Sequence, residues 1–599
     1  MKRRHQMPFG AELQADGVRF RLWAPSADRV ELLVEGNPAQ PMQRSDDGWY
    51  ERREPAAAAG SRYRFRIDGG LEVPDPASRR QPDDAHGPSE VIDPAAFAWA
   101  DGDWRGRPWH EVVLYELHVG SFTPQGTFSG VEEQLDYLAG LGVTAIELMP
   151  LADFPGRRGW GYDGVLPFAP DAAYGRPEDL KRLVAAAHLR GLMVFLDVVY
   201  NHFGPDGNYL ASYAASFFTD RHHSPWGRAN NFDDPGSETV RRFFIENALY
   251  WLDEYHFDGL RLDAVHAILD DSPQHFLAEL AERVRAAFPD RHIHLVVEND
   301  ANQARFLAPH LFDAQWNDDL HHILHVLLTG EVSGYYRDYR EATIQRLGRA
   351  LTQGFDYQGE PSEHRGGQPR GEPSRHLPPT RFVAFLQNHD QVGNRAMGDR
   401  LPQLAPAAAI DAALAVLLLA PGIPLLFMGE EWGARQPFLY FCDFHDQLAE
   451  AVRHGRRREF EDFPAFADAA ARERIPDPNA EATFRASVVD WSAVRLPPHA
   501  ERLALVRRLL RLRHRDIVPR LAGASGETGF ETSGGHLLEA WWRLGDGARL
   551  CLQANLGAAP AQVAGAPPGR LLYTNHGGFA AAGGLGDNLP PWTVTWALS

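Results

Sequence analysis

Four short stretches of this chain collect the side chains that acid–base chemistry needs. In the stretch from Asp258 to His266, apolar Leu260 and Leu262 alternate with Arg261 and Asp263, the two-residue period of a buried strand. Alternation puts Arg261 and Asp263 on one face, one pleat apart, with His266 just past the strand end. A guanidinium beside a carboxylate keeps it ionised, the state required of a nucleophile or an electrostatic stabiliser. A structural ion pair would look the same, so this stretch alone leaves both readings open.

The other three stretches favour chemistry. Asp197 is followed by Asn201 and His202, the run Leu-Val-Val leads into Glu298, Asn299 and Asp300, and Gln387 and Asn388 precede His389 and Asp390. Each closes an apolar run of strand length. Two carboxyl groups split a glycosidic bond when one attacks the anomeric carbon and the other protonates the leaving oxygen. Asp263, held ionised by Arg261, suits the attacking role. Glu298, at the end of an apolar strand, suits the acid whose pKa burial raises. Asp390, with His202 and His389, suits a grip on the hydroxyls of the sugar being cleaved. Trp160, Tyr162, Tyr209, Trp226 and Trp432 lie near strand ends and suit stacking on sugar faces, with core packing as the plain alternative. No closed set of metal ligands and no Ser or Cys on a sharp strand–helix turn is visible, so neither metal nor other cofactor is expected.

These groups need a frame that brings four strand ends together. From about residue 110, apolar runs alternate with amphipathic stretches. The predicted strands are Val112–Val119, Val143–Pro150, Leu192–Val199, Asp258–Val265, Ile293–Asn299, Asp313–Trp316, Phe382–His389 and Ile423–Gly429. Helical stretches such as Glu178–Arg190, Thr239–Tyr255 and Phe276–Phe288 fall between them. Eight such units predict a (β/α)8 barrel, whose reactive groups sit at the C-terminal strand ends. A doubly wound open sheet is the competing fold, weakened because no Gly-rich phosphate loop follows the first strand. Before the barrel, Val18–Leu22, Val30–Val34 and Tyr63–Ile67 read as short strands of a β-sandwich; after the helix Glu501–Arg515, short strands and glycine turns return. The expected organisation is an N-terminal β-sandwich (1–105), the TIM barrel (106–521) and a C-terminal antiparallel β domain (522–599). Two long loops, Asn201–Ser237 and Gly354–Pro379, interrupt the barrel and read as functional or mobile.

The totals bound the partners. With 60 basic against 80 acidic residues among 599, the net charge is -20, which disfavours nucleic acid and anionic membranes and fits a neutral substrate. Cys442 and Cys551 are far apart and read as reduced, buried thiols. The basic start has no apolar run behind it, and Ala412–Met428 is broken by Pro421, Gly422 and Pro424, so neither a signal peptide nor a membrane span is expected. A cytoplasmic protein is the expectation.

At the four strand ends the chain resembles the α-amylase superfamily, glycoside hydrolase family 13. The resemblance implies Asp263 as nucleophile, Glu298 as general acid/base and Asp390 as transition-state stabiliser. It places Tyr162, His202, Arg261 and His389 around the sugar being cleaved, with Asp197 and Asn201 supporting the third loop; Asp163, His266, Trp160 and Trp226 are expected as further substrate-binding residues. The implied mechanism is retaining, with the two carboxyl groups about 5–5.5 Å apart. Five segments, Leu114–Gly126, Gly159–Gly164, Asn201–Leu210, Leu262–Ile268 and Phe385–Arg395, are similar to the trehalose-releasing branch of that superfamily. That likeness implies a malto-oligosaccharide substrate ending in trehalose, supplied by a malto-oligosyltrehalose synthase. Glycogen branching and debranching enzymes are the nearest alternatives. The branching enzymes differ at the third strand end, where this chain reads Val198-Val-Tyr-Asn-His202. A non-catalytic glucan-binding homologue is disfavoured because all three acids are present.

Overall fold

A computed structural model describes residues 5–576 and 588–599. Its centre is a closed barrel of eight parallel strands in sequential order. They are β1 (Leu114–Leu117), β2 (Ala145–Leu148), β3 (Met193–Val198), β4 (Gly259–Leu262), β5 (His294–Val297), β6 (Ala314–Trp316), β7 (Phe382–Ala384) and β8 (Ile423–Phe427). All eight predicted strands are present and take part in the barrel, so the open-sheet alternative is excluded.

Because side chains alternate across a strand, each barrel strand sends every second residue inward. The inward positions carry the argument. Deep in the barrel they are apolar: Leu114, Ala145, Phe195, Val296, Ala314, Trp316, Val383 and Leu425 belong to one buried cluster. One pleat nearer the C-terminal rim, the same faces become charged: Glu116 follows Leu114, Glu147 follows Ala145, and Asp197 follows Phe195. The register pairs Asp197 with Arg261 and Glu116 with Glu147. Gly259 is required at the bottom of β4, since a Cβ there would lie 2.7 Å from the Phe195 ring and 2.9 Å from the His294 carbonyl oxygen.

All eight strands are shorter than the sequence predicts, and local capping explains the two with the earliest C-terminal ends. The stretch Phe382–His389 is a strand only through Ala384, because the Asn388 side chain accepts from the amides of Asp390 and Gln391 and starts a helical turn at His389. The stretch Asp258–Val265 leaves the sheet after Leu262, where Ala264 takes a left-handed conformation (φ 40°) and a tight turn follows.

The predicted helices appear as Pro177–Leu189, Ser237–Glu254, Phe276–Ala287 and His499–Leu512. Before the barrel, a four-stranded and a five-stranded antiparallel sheet face each other, with Phe20 against Tyr63 at 4.7 Å between them. After it, a five-stranded antiparallel sheet docks on the barrel helices, where the Trp596 indole donates to Ala415 O at 3.0 Å. Part of the predicted C-terminal domain, 577–587, lies outside the described residues.

The loop Asn201–Ser237 is ordered by a short helix, Leu210–Tyr213, and a hairpin, Phe218–Ser224 with Gly227–Asn230. Cys442 and Cys551 are buried and unpaired. Among the described residues no helix is long and apolar enough to cross a membrane.

Candidate active site

The C-terminal rim of the barrel opens into a cavity of about 600 Å³. Asp263, Glu298 and Asp390 line it together with Trp160, Tyr162, Asp163, His202, Trp226, Arg261, His266 and His389. Residues on or after β2, β3, β4, β5, β7 and β8, more than 200 positions apart in sequence, thus converge on one cavity.

Arg261 is the hub. It is buried at 2% exposure; its Nη1 donates to Asp197 at 2.8 and 3.0 Å and to Asp263 Oδ1 at 2.7 Å. Its guanidinium lies over the Trp316 ring at 4.2 Å, so an aromatic face covers the charge from below. Asn201 Nδ2 donates to Asp263 Oδ2 at 2.9 Å and to its carbonyl at 2.8 Å. Both oxygens of Asp263 are therefore held. Burial alone would raise its pKa, but Arg261, the Asn201 hydrogen bond and His202 outweigh it and hold Asp263 below the ordinary carboxylate value.

Glu298 is set the other way. Burial, reinforced by the charges of Asp263, Asp318 and Asp390, lifts it well above the ordinary value despite Arg261. Arg261 Nη2 stands 4.0 Å from Glu298 Oε2, too far for a hydrogen bond. The nearest donor to the same oxygen is the amide of Ala264, at 2.6 Å. The left-handed turn after Asp263 thus aims its own backbone at the second carboxyl, strain stored where two functional groups meet. The chemical consequence is two carboxyl groups in one cavity whose acidities are pushed apart, the pairing that acid-assisted nucleophilic displacement needs.

The sugar-gripping candidates are positioned by neighbours. His389 receives Glu116 twice: its amide donates to Oε2 at 3.0 Å and its Nδ1 approaches Oε1 at 2.5 Å. Burial disfavours charge on His389, but Glu116 outweighs burial and raises its pKa. The Tyr162 hydroxyl donates to Asp197 at 2.6 Å and its ring stacks on His389 at 5.0 Å. Burial raises Asp197 to about 6, with Arg261 opposing. His202 is bonded to Asn201 Oδ1, and the Trp226 ring lies flat on it at 4.4 Å and 8°. Burial lowers the pKa of His202, so it is neutral near pH 7. Asp163 is raised to about 6 by burial alone.

Three aromatic expectations need correction. Trp432 is 1% exposed and packs edge-on to His499, away from the cleft. Tyr209 faces the N-terminal domain, its hydroxyl 2.7 Å from His86 Nδ1. Trp160 does line the cleft, but it is buried, stacks on Phe438 at 5.1 Å and donates to Leu439 O at 2.9 Å. It forms wall rather than an open stacking face.

Several residues of the site were not singled out from the sequence. Glu116 sits inward on β1 and could have been found by the alternation that found Arg261. Phe203, Pro205, Asn394 and Tyr440 line the cavity from loops without periodicity. The long loop after β6 sends Arg365 and Arg370 to Asp300, which borders the acid. Among the described residues one group has metal-ligand spacing: His222 on the loop hairpin, Asp233 just after it and Asp271 in the segment after β4. Arg221 pairs with both of its carboxylates, reaching Asp271 at 2.8 Å and Asp233 at 3.6 Å.

Comparison with known proteins agrees with this geometry. Residues 91–235 match the catalytic domain of alpha amylase, residues 8–92 match carbohydrate-binding module 48, the isoamylase N-terminal domain, and residues 525–596 match a domain of unknown function. A malto-oligosyltrehalose trehalohydrolase of Deinococcus radiodurans is 46% identical over 84% of this chain and 82% of its own length. The crystal structure of a putative alpha amylase from Salmonella typhimurium superposes with a TM-score of 0.93 at 44% identity, over 99% of both chains. A 1,4-alpha-glucan branching enzyme of Photobacterium profundum is 37% identical over only 43% of this chain and 40% of its own. With nearly half its residues shared along most of both chains, this protein belongs to the malto-oligosyltrehalose trehalohydrolase family of the α-amylase superfamily.

Proposed function

We propose that this protein is a retaining glycoside hydrolase that cleaves the α-1,4-glucosidic bond next to the terminal trehalose of malto-oligosyltrehalose, releasing trehalose and a shortened maltodextrin. The observation that carries the chemistry is the opposed pair: Asp263 held below, and Glu298 well above, the ordinary carboxyl value within one cleft. The likeness to the trehalose-releasing relatives carries the substrate.

Asp263 attacks C1 of the sugar in the cleft while Glu298 gives its proton to the departing trehalose oxygen. The glucosyl–Asp263 ester is then opened by water, whose proton returns to Glu298. Asp390 and His389 hold hydroxyls of the same sugar, and Tyr162 and His202 flank it. Arg261 and Asn201 keep the nucleophile ionised and aimed, and Asp197 anchors Arg261 and Tyr162. Asp163, His266, Trp160 and Trp226 complete the binding surface. The same reading assigns residues 1–105, 106–521 and 522–599 as three domains. It also assigns a cytoplasmic place in trehalose biosynthesis, downstream of a malto-oligosyltrehalose synthase.

The test is to incubate the protein in parallel with maltotriosyltrehalose and maltopentaose. Fast trehalose release from the first and slow attack on the second is expected. New α-1,6 branches on amylose with little reducing sugar would replace this reading with a branching enzyme.

A further inference from the structure

Three side chains from separate stretches meet outside the catalytic cavity. His222 belongs to the hairpin strand Phe218–Ser224, Asp233 follows the partner strand Gly227–Asn230, and Asp271 follows the short turn Val265–Ala267. One donor atom of each lies within 4.8 Å of the other two, and none of the three lines the catalytic cavity. His222 Nε2 stands 2.8 Å from Asp233 Oδ2 and 3.9 Å from Asp271 Oδ2. Donors held about 2.1 Å from a tetrahedral ion lie about 3.4 Å apart, a separation that these two distances bracket.

Asp233 is the buried member. Its side chain is 1% exposed, and the Asp271 amide donates to its Oδ2 at 2.8 Å, which ties two of the three groups together. Its Oδ1 is buried and has no hydrogen-bond partner among the described residues. A buried carboxyl oxygen without a donor is costly, and a cation relieves that cost. Arg221 shows that positive charge is drawn to this place, since it reaches Asp271 Oδ2 at 2.8 Å and Asp233 Oδ2 at 3.6 Å. The Arg221 side chain is 46% exposed, however, and exposed ion pairs of this kind hold weakly. It can swing into water and leave its place to a smaller, more highly charged ion.

We propose that His222, Asp233 and Asp271 form a binding site for one divalent transition-metal ion of the zinc class. One imidazole nitrogen with two carboxylate oxygens is a donor mix that zinc takes, whereas calcium and magnesium favour oxygen donors alone. Three protein donors leave the fourth position to water. The ion fastens the hairpin to the segment after β4. The turn of that hairpin carries Trp226, whose ring lies on His202. The site therefore braces one wall of the catalytic cleft from outside, and it stands whatever sugar the cleft accepts.

The test is calorimetric titration of the full-length protein with zinc chloride, after treatment with EDTA and removal of the chelator. One zinc per chain is expected. His222→Gln and Asp271→Asn should each weaken binding by at least about tenfold, the lower bound for losing even an indirect partner of a metal. Arg221→Ala should tighten it about two- to fivefold by removing the competing cation. Calcium should bind at least about tenfold more weakly than zinc. Thermal unfolding shows that the variants are folded: without metal each should melt close to the wild type, and zinc should raise Tm for the wild type but not for His222→Gln or Asp271→Asn. No zinc binding would overturn the proposal. So would zinc binding that both substitutions leave unchanged, which would place the ion on other histidines. Calcium binding as tight as zinc would overturn the metal class.

Discussion

Replacing Glu116 by Gln tests whether the buried base of the site works as the geometry requires. Gln keeps the size and one acceptor oxygen but removes the charge that faces His389 Nδ1 at 2.5 Å. The lost interaction is a charge-assisted hydrogen bond, worth about 1.5–3 kcal/mol. If His389 uses that charge on the sugar in the transition state, the full amount appears in kcat/KM as a loss of about 10- to 150-fold. The pH dependence separates this from a packing defect. Glu116 raises the pKa of His389, while burial and Arg261 push it down. Without Glu116, His389 loses its proton at lower pH, so the alkaline limb of kcat/KM shifts toward acid. Stability follows the same sign. A His whose folded pKa lies above its unfolded value of about 6.5 adds stability below that value and loses it as pH rises through the folded pKa. The variant should lack that increment at low pH. The assay is trehalose release from maltotriosyltrehalose between pH 4 and 9, with thermal unfolding over the same range. A kcat/KM within about twofold of wild type and an unmoved alkaline limb would refute the reasoning.

Arg261→Met leaves Asp197, which is 3% exposed, without its cation; urea unfolding should show a loss of about 3–5 kcal/mol, as for other broken buried ion pairs. The wild-type pH–kcat profile should be bell-shaped. Activity should rise as Asp263 ionises below the ordinary carboxylate range and fall as Glu298 and His389 lose their protons; Glu298→Gln should lose several orders of magnitude in rate and keep only the alkaline fall that His389 contributes. Trp226→Ala removes the ring stacked on His202, worth about 0.5–1.5 kcal/mol, so KM for maltotriosyltrehalose should rise about 2- to 13-fold with a smaller change in kcat.

Much of this site was legible because it is built on strands, and strands carry a period. Arg261 and Asp263 share a face through the same alternation that seals Leu260 and Leu262 in the wall. Glu298 announced its raised pKa by ending an apolar strand. Glu116 obeys the same period on β1, yet its partner lies 273 positions away, and no local pattern names that partner. Asn394, Tyr440 and Phe203 come from loops, where position is set by packing between distant segments rather than by any repeat. The aromatic expectations failed for a related reason. A tryptophan at a strand end looks the same in sequence whether its ring is buried, as in Trp432, or open, as in Trp226. The strand ends were overextended where one side chain, Asn388, or one left-handed residue, Ala264, turned the chain early.

The central claim is that Asp263 forms a bond to sugar while Glu298 supplies the proton. It is tested most directly by intact-protein and peptide mass spectrometry of Glu298→Gln after reaction with maltotriosyl fluoride, whose leaving group needs no acid. Loss of the acid/base slows hydrolysis of the intermediate, so a maltotriosyl adduct on the peptide carrying Asp263 is predicted, absent when Asp263→Asn is added. No adduct, or an adduct on another carboxylate such as Asp390, would contradict the account.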